Sequence, residues 1–212
     1  MRVPVPRGGF VNDAHGSPVL GRTRWRRFAA VTVPALALAG AIVFGMANGA
    51  IAASFAVSGS TFKVSADKLA GQGFVQYGGL AVDKAGNAHP VAVSGIKSAS
   101  LTNLCQSVVV PGTSISLVIR AGKTKDATAT DLLIDMNQLS GDATFDHINI
   151  GQDASTLTKG PQGAVGQAGG FGQQADAVTI TGLRQVAWST SAGQFNLNGL
   201  DLHVSLNGEE CF

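Results

Sequence analysis

Apolar and polar residues alternate with a period of two in many short segments between residues 54 and 212. Segments 115–119, 132–136 and 200–206 show the pattern clearly. Successive side chains of a β-strand point to opposite faces of the sheet, so this alternation predicts strands with one buried and one polar face. Only residues 64–70 resemble a short helix. The sequence therefore predicts an all-β single domain of about ten short strands, either an antiparallel sandwich or an elongated curved β-roll.

A basic cluster and an uncharged apolar run precede this domain. Residues 22–27 contain four Arg, and residues 28–47 carry no charged side chain. The small residues Ala50, Ala52 and Ala53 follow the run. This order of basic, apolar and small residues is typical of an export signal, with its cleavage region at the three alanines.

The length of the apolar run leaves two interpretations of this leader. A cleaved signal has an apolar core of roughly 7–15 residues, whereas about 20 residues span a membrane. Residues 22–53 are therefore predicted to be a cleaved signal peptide or a retained single-pass anchor, with residues 28–47 as a hydrophobic helix. Residues 1–21 are expected to be a disordered extension. Residues 54–212 are then an exported domain, either extracellular or associated with the cell envelope.

The positive charge of the chain comes from its leader. Of the 15 Lys and Arg and 13 Asp and Glu, residues 1–52 hold six Arg and one Asp, which leaves nine basic and twelve acidic residues for the rest. Nucleic-acid binding needs a basic patch on the folded domain. The composition therefore argues against a nucleic-acid partner.

The two cysteines, Cys105 and Cys211, both lie in the exported part. An isolated pair usually forms a disulfide in an oxidising compartment. Closing so long a loop is worth on the order of 4–5 kcal/mol in the chain-entropy model. We therefore predict a Cys105–Cys211 bond that ties the C-terminal end to the middle of the domain, with two free thiols as the alternative.

Glycine recurs at every third position from Gly160 to Gly172, within a Gly-rich segment at 159–175. That is the period of collagen, but the segment has few triplets and one proline. We interpret it as a flexible Gly/Gln-rich loop, with a polyproline-like flap or an assembly contact as the alternative.

No constellation of catalytic residues is evident in the exported part. Its three histidines, His89, His147 and His203, are far apart and have no metal-ligand spacing. The G-x-S-x-G motif of α/β hydrolases is absent, as are a P-loop, a Rossmann glycine set and a zinc signature. The sequence therefore predicts no catalytic residue, metal or cofactor.

Apolar residues of the predicted strands offer a second kind of site. One apolar face of a curved sheet forms a groove for an acyl chain or isoprenoid if it is left open, and a closed core if it is not. The candidate lining residues are Phe145, Ile148, Ile150, Val178, Ile180 and Trp188.

Several blocks of residues resemble an actinobacterial, Streptomyces-like family of exported proteins of unknown function, DUF6230. These blocks are TRWRRF at 23–28, GMANGAIAASF at 45–55, GFVQYG at 73–78, LTNLCQ at 101–106, NIGQDA at 149–154 and ECF at 210–212. The resemblance covers roughly residues 20–212 and implies an exported product. It also implies a small multi-span membrane protein as a neighbour and candidate partner. Family members often carry the label cholesterol esterase, but no residue of this chain supports that chemistry.

Three functions follow as hypotheses. The first is a non-enzymatic envelope or extracellular protein with a structural or partner-binding role. The second is a lipid-binding module with an apolar groove, and the third is an esterase. The sequence leaves self-assembly open.

Overall fold

The computed structural model describes residues 58–212. This part contains nine β-strands and a single-turn 3₁₀ helix at Ala154–Thr156. None of its helices has the length and apolar content needed to cross a membrane. The predicted extension at 1–21, the hydrophobic helix at 28–47 and the cleavage region at Ala50, Ala52 and Ala53 lie outside the described residues.

The strands follow one another along the chain with short connections, except where residues 154–170 intervene. They are β1 (Phe62–Val82), β2 (Ala88–Thr102), β3 (Leu104–Val109), β4 (Ser116–Ala121), β5 (Ala127–Asp146), β6 (Asn149–Asp153), β7 (Phe171–Ser191), β8 (Gln194–Asn196) and β9 (Asp201–Ser205).

All nine strands belong to one antiparallel sheet, which confirms the predicted all-β antiparallel class. The order is β6-β7-β5-β2-β1-β3-β4-β9, and β8 pairs with β5. Because β7 also pairs with β1, strands β1, β2, β5 and β7 close into a ring. The sheet therefore encloses its core by curving back on itself.

The strands are longer and fewer than the sequence predicts. Strands β1 and β7 each have 21 residues and β5 has 20. Glycines that resemble turn signals lie inside these strands: Gly141 in β5 has φ +149° and Gly182 in β7 has φ +61°. The β5–β7 register shifts beside Gly141, so these glycines make bulges and bends within continuous strands. Residues 64–70, the helical candidate, lie within β1.

The main core lies inside the ring. Leu69 and Phe74 of β1 meet Leu132 of β5 and Val178 and Leu183 of β7 there. The rings of Phe74 and Phe145 lie 5.3 Å apart between centroids and are tilted by 49°. The residues of this core come from strands that are distant in sequence. The core and the closure of the ring therefore depend on each other.

The Gly-rich segment packs against β1. Leu157 and Ala164 are buried with Val75 in a small second cluster, and residues 171–175 already belong to β7. A Cβ atom on Gly160 would overlap the side chain of Val75. The segment that the sequence predicts to be a flexible loop is thus a packed cover over one side of β1.

Candidate functional site

Strands β3, β4 and β9 extend the sheet beyond the ring. Val64 of β1 lies opposite Gln106 of β3, which lies opposite Ile119 of β4, which lies opposite Leu202 of β9. Directly opposite residues of antiparallel strands point to the same face. Val64 belongs to the core and is 6% exposed, whereas Leu202 is 56% exposed. The core-facing side of the sheet therefore continues outward into solvent along this row.

We call this surface the apolar face. A second row crosses it from Val108 through Leu117 to Val204. Its most exposed members are Leu202 and Val204 of β9, each more than half exposed. Leu200 and Leu206, which flank β9 with the same period of two, are also more than half exposed. Isolated exposed aliphatic residues are ordinary, but contiguous apolar patches rimmed by polar residues mark interaction sites.

The free edge of β9 borders the apolar face. Residues Asp201–Ser205 pair with Arg120–Ser116 of β4. On the other side, β9 has no neighbouring strand within residues 58–212. Such an edge presents unpaired backbone N–H and C=O groups that another extended chain can use.

The opposite side of this three-stranded extension is covered by residues 207–212. The structure joins Cys105 of β3 to Cys211 by a disulfide, with the Cα atoms 5.8 Å apart. Lys63 reaches Glu210 at 2.8 Å, between Nζ and Oε2. Val118 of β4, which points to this side, is fully buried. One side of the extension is thus covered by its own chain, while the other is open.

A small ionic network holds this cover in place. Arg120 Nη2 donates to Glu209 Oε1 at 2.9 Å, and His203 Nε2 lies 3.2 Å from Glu209 Oε2. The hydrogen bond with Glu209, followed by that with Asp201, raises the pKa of the His203 imidazole. Hydrogen bonds from Arg120 and then from His203 lower the pKa of the Glu209 carboxyl. All four side chains point away from the apolar face, which therefore carries no charge.

An open cleft of about 480 Å³ lies beside the disulfide. Its polar lining residues are Ser65, Asp67, Asn103, Arg120, Ser140 and Arg184. Asn103 Nδ2 donates to Asp67 Oδ2 at 3.2 Å. Asn103 interrupts the strand between β2 and β3 with a φ of +53°, and its amide reaches β1 through this hydrogen bond. The cleft holds charges of both signs and no histidine.

The three histidines remain apart. Each imidazole pairs with its own carboxylate, His89 with Asp83 and His147 with Asp176, both at 3.2 Å. A hydrolytic triad needs a serine hydroxyl on the second imidazole nitrogen. No serine hydroxyl is hydrogen-bonded to an imidazole in the part of the chain that the structure describes. No three His, Cys, Asp or Glu side chains within residues 58–212 converge as a metal site.

The six lipid-groove candidates do not all line one surface: four pack together in or against the core, and the other two lie elsewhere. Val178 and Ile180 are core residues, and Phe145 and Ile148 pack against them. Ile150 is exposed on β6, and the Trp188 ring stacks on His89 at 3.9 Å in a different cluster.

One small cavity does include two of these candidates. Phe145 and Ile180 line a space of about 210 Å³ together with Phe74 and Leu139. Ligand pockets usually enclose about 300–1,000 Å³. The alternation that the candidates follow shows which side chains share a face. It does not show whether that face is closed by other strands.

The apolar face was present in the sequence only as the alternation at 115–119 and 200–206. That pattern predicts a strand with one buried side. The pattern does not reveal the order of the strands in the sheet, because a central strand and an edge strand can have the same alternation.

Comparisons with known proteins support a family assignment. The family model described as "Family of unknown function (DUF6230)" matches residues 58–212. The search of curated proteins found no match, and the search of solved structures found none either. The match spans the whole described domain, including the disulfide and the apolar face, and confirms the resemblance to this family, although the blocks at 23–28 and 45–55 lie outside the matched residues. The chain belongs to the DUF6230 family.

Proposed function

We propose that this chain is an exported, non-enzymatic binding protein that docks a partner on its apolar face. The observation that carries the proposal is the row from Val64 to Leu202, in which the core-facing side of the sheet runs uncovered into solvent. Leaving aliphatic side chains in water costs roughly 25 cal/mol per Å², so a surface that covers them gains that amount.

The chemistry of the apolar face supports contact with a partner. It contains aliphatic side chains and the Gln106 amide, with no nucleophile, acid or base. The ionisable groups of the same strands, Arg120, Asp201 and His203, lie on the covered side. An uncharged apolar face bordered by a free strand edge suits a protein partner, which offers both side chains and backbone hydrogen bonds.

The Cys105–Cys211 disulfide supports the exported location. Disulfides persist in oxidising compartments and are rare in a reducing cytosol. Together with the leader at 22–53, it favours an extracellular or cell-envelope site of action, with the apolar run at 28–47 as the segment that would hold an uncleaved chain to the membrane.

Photocrosslinking in the intact host tests the proposal. A photoreactive amino acid replaces Leu202 in one strain and Leu80 in a control strain. Leu80 is a matched control because it is 66% exposed and lies on β1, away from β9. We expect a discrete protein adduct at Leu202 and none at Leu80. Equal labelling at the two positions would overturn the proposal, and adducts to lipid alone at Leu202 would replace it with lipid binding.

The non-enzymatic part of the proposal has a separate assay. The protein purified from its host is incubated with a panel of soluble and long-chain esters, cholesteryl esters included. We expect no turnover above the uncatalysed rate. Robust turnover that disappears after one Ser or Asp substitution would overturn this part and leave the docking surface unaffected.

A further inference from the structure

We infer that the cleft beside the disulfide binds a small zwitterion, namely an amino acid or short peptide that carries both an ammonium and a carboxylate group. The cleft lies on the opposite side of the sheet from the apolar face, so this ligand is bound in addition to the partner proposed above. The cleft volume of about 480 Å³ falls within the roughly 300–1,000 Å³ of ligand pockets. Asp67 receives the ammonium group and Arg184 receives the carboxylate.

One row of residues across six strands places both arginines of the cleft on the covered side of the sheet. Directly opposite residues of antiparallel strands point to the same face. From β9 to β5, through β4, β3, β1 and β7, the row is Asp201, Arg120, Cys105, Ser65, Arg184 and Ser140. Arg120 and Arg184 therefore lie on either side of Cys105, and the cleft opens along this row.

Asp67 reaches the cleft at an irregularity shared by β1 and β7. Asp67 and Gly182 lie between regular pairs of these two strands and are not themselves paired. Gly182 has φ +61°, and a Cβ atom on it would meet nothing within 4 Å. Both residues line the cleft. The space beside the Asp67 carboxylate is therefore open to a ligand.

Asp67 and Arg184 carry opposite charges that are not neutralised by an ion pair. Neither takes part in the ion pairs that Lys and Arg make within residues 58–212, which are Lys63–Glu210, Arg120–Glu209 and Lys159–Asp176. Ser65, two residues before Asp67, lies directly opposite Arg184. Asp67 and Arg184 are thus diagonal neighbours, and such positions are roughly 7–8 Å apart. The two charges flank one gap without closing it.

Each charged group is held on its own side of the gap. Asn103 Nδ2 donates to Asp67 Oδ2 at 3.2 Å, and Asp67 Oδ1 accepts no hydrogen bond within the described residues. The Arg184 guanidinium carbon lies 5.8 Å from the centre of the Phe212 ring, in a cation–π contact. Lys63 Nζ donates to the Phe212 carbonyl oxygen at 2.9 Å and so fixes that residue. The separation of the carboxylate from the guanidinium is therefore built into the fold.

A ligand with one ammonium and one carboxylate group satisfies both sides of the gap. Its ammonium pairs with Asp67 Oδ1, and its carboxylate accepts two parallel N–H bonds from the planar Arg184 guanidinium. A ligand with negative charge alone would meet the like charge of Asp67. A ligand with positive charge alone would meet those of Arg120 and Arg184. The cleft therefore selects the two charges together.

NMR titration tests the ligand class. Isotope-labelled protein purified from its host is titrated with each of the twenty common amino acids, with diglycine and with dialanine. We expect saturable shifts of the backbone amides of Asp67, Asn103 and Arg184 with at least one of them. Each compound that binds is then compared with its N-acetyl derivative, which lacks the ammonium, and with its amide, which lacks the carboxylate. Both derivatives should bind about tenfold more weakly or worse, since each loses a hydrogen bond to a charged group.

Two variants separate the two ends of the ligand. Asp67→Asn should lose the preference for the amino acid over its N-acetyl derivative, and Arg184→Gln should lose the preference over its amide. Lys68→Gln is the matched control, because Lys68 is exposed beside Asp67 and does not line the cleft. We expect Lys68→Gln to bind as the wild type does.

The possible results decide the inference and leave the apolar face aside. An absence of saturable shifts up to about 10 mM with every compound overturns it, because even millimolar affinity would saturate there. Equal binding of the N-acetyl derivative or of the amide also overturns it, in favour of a site for one charge only. Equal losses in Lys68→Gln and Asp67→Asn would trace binding to the net charge and reject the cleft. The Leu202 photocrosslink reports on the other side of the sheet, so either proposal can fail while the other stands.

Discussion

The backbone N–H of Cys211 donates to the Ser107 hydroxyl at 3.0 Å, two residues along β3 from the disulfide partner Cys105. Residues 207–212 are thereby fixed across one side of β3, β4 and β9. Val118 is buried beneath them although it lies outside the ring of long strands. The extension that carries the apolar face therefore depends on its C-terminal cover for a core of its own.

Removing the disulfide should destabilise the domain and loosen this cover. For Cys105→Ser combined with Cys211→Ser, we expect a loss of about 4 kcal/mol in the free energy of unfolding, since a separation of 106 residues no longer restricts the unfolded chain. Denaturant unfolding measures the loss, and amide hydrogen exchange should show faster exchange in β4 and β9 than in β7. An unchanged unfolding midpoint, or uniform exchange, would contradict the role given to the cover.

The Asp83 turn should make stability depend on pH in acid. Asp83 Oδ1 accepts the Ala85 and Asn87 backbone N–H groups at 2.8 and 2.9 Å. The Asn87 side-chain and backbone hydrogen bonds are the largest causes that lower the pKa of the Asp83 carboxyl from 3.8 to about 2. Because the pKa is lower in the folded state, the hydrogen bonds to the Asp83 carboxylate stabilise the fold above pH 3.8. This stabilisation is lost as the pH falls through about 2.

Asp83→Asn tests this linkage. We expect the variant to be less stable than the wild type at pH 7, and the difference to shrink between pH 4 and pH 2. The matched control is Asp142→Asn, because Asp142 makes no side-chain hydrogen bond within the described residues. Denaturant unfolding at several pH values provides the measurement. A constant difference between Asp83→Asn and the wild type across this range would refute the linkage.

Much of the fold class could be predicted from the sequence, because alternation with a period of two reports strand faces directly. The strand boundaries could not be predicted. Gly141 and Gly182 follow polar residues and resemble turn signals, yet each lies within a strand of at least 20 residues. A Cβ on Gly141 would lie 2.7 Å from Ile180 Cγ2. The glycine is required by the close approach of the neighbouring strand, which only the tertiary structure shows.

The candidate site could be predicted in part. The alternation of Leu202 and Val204 indicates a shared apolar side but carries no information on strand order. The same pattern at Val178 and Ile180 belongs to a strand with neighbours on both sides, and there the side chains are buried. Exposure therefore depends on which strands pair, and that is a property of the whole sheet.

Glu209 and Asp201 should raise the pKa of His203 by different amounts. Because the pKa of His203 is raised, its ion pairs stabilise the fold below the ordinary pKa of 6.5, and this contribution is lost as the pH rises through the higher folded value. We expect Glu209→Gln to lower the His203 pKa more than Asp201→Asn does, since the Glu209 hydrogen bond is the larger cause. Titration of the imidazole by NMR in each variant gives the order. Equal or reversed shifts would contradict this assignment.

The packed Gly-rich segment predicts opposite effects for two Gly→Ala substitutions. A Cβ on Gly166 would lie 2.6 Å from the Ala154 Cβ and 2.9 Å from Tyr77 Cδ2, so Gly166→Ala must push the segment away from β1. We expect a loss of about 1–3 kcal/mol in the free energy of unfolding, as for other overpacked sites.

Gly78 in β1 is the matched control, because a Cβ there meets nothing within 4 Å. Gly78→Ala restricts the unfolded chain without a clash and should be neutral or stabilising by up to about 1 kcal/mol. Urea unfolding of both variants measures the difference. If Gly166→Ala were as stable as Gly78→Ala, the segment at 159–175 would be free to move off β1. Its regular glycines would then serve flexibility, as the sequence alone predicts, and close packing would not explain them.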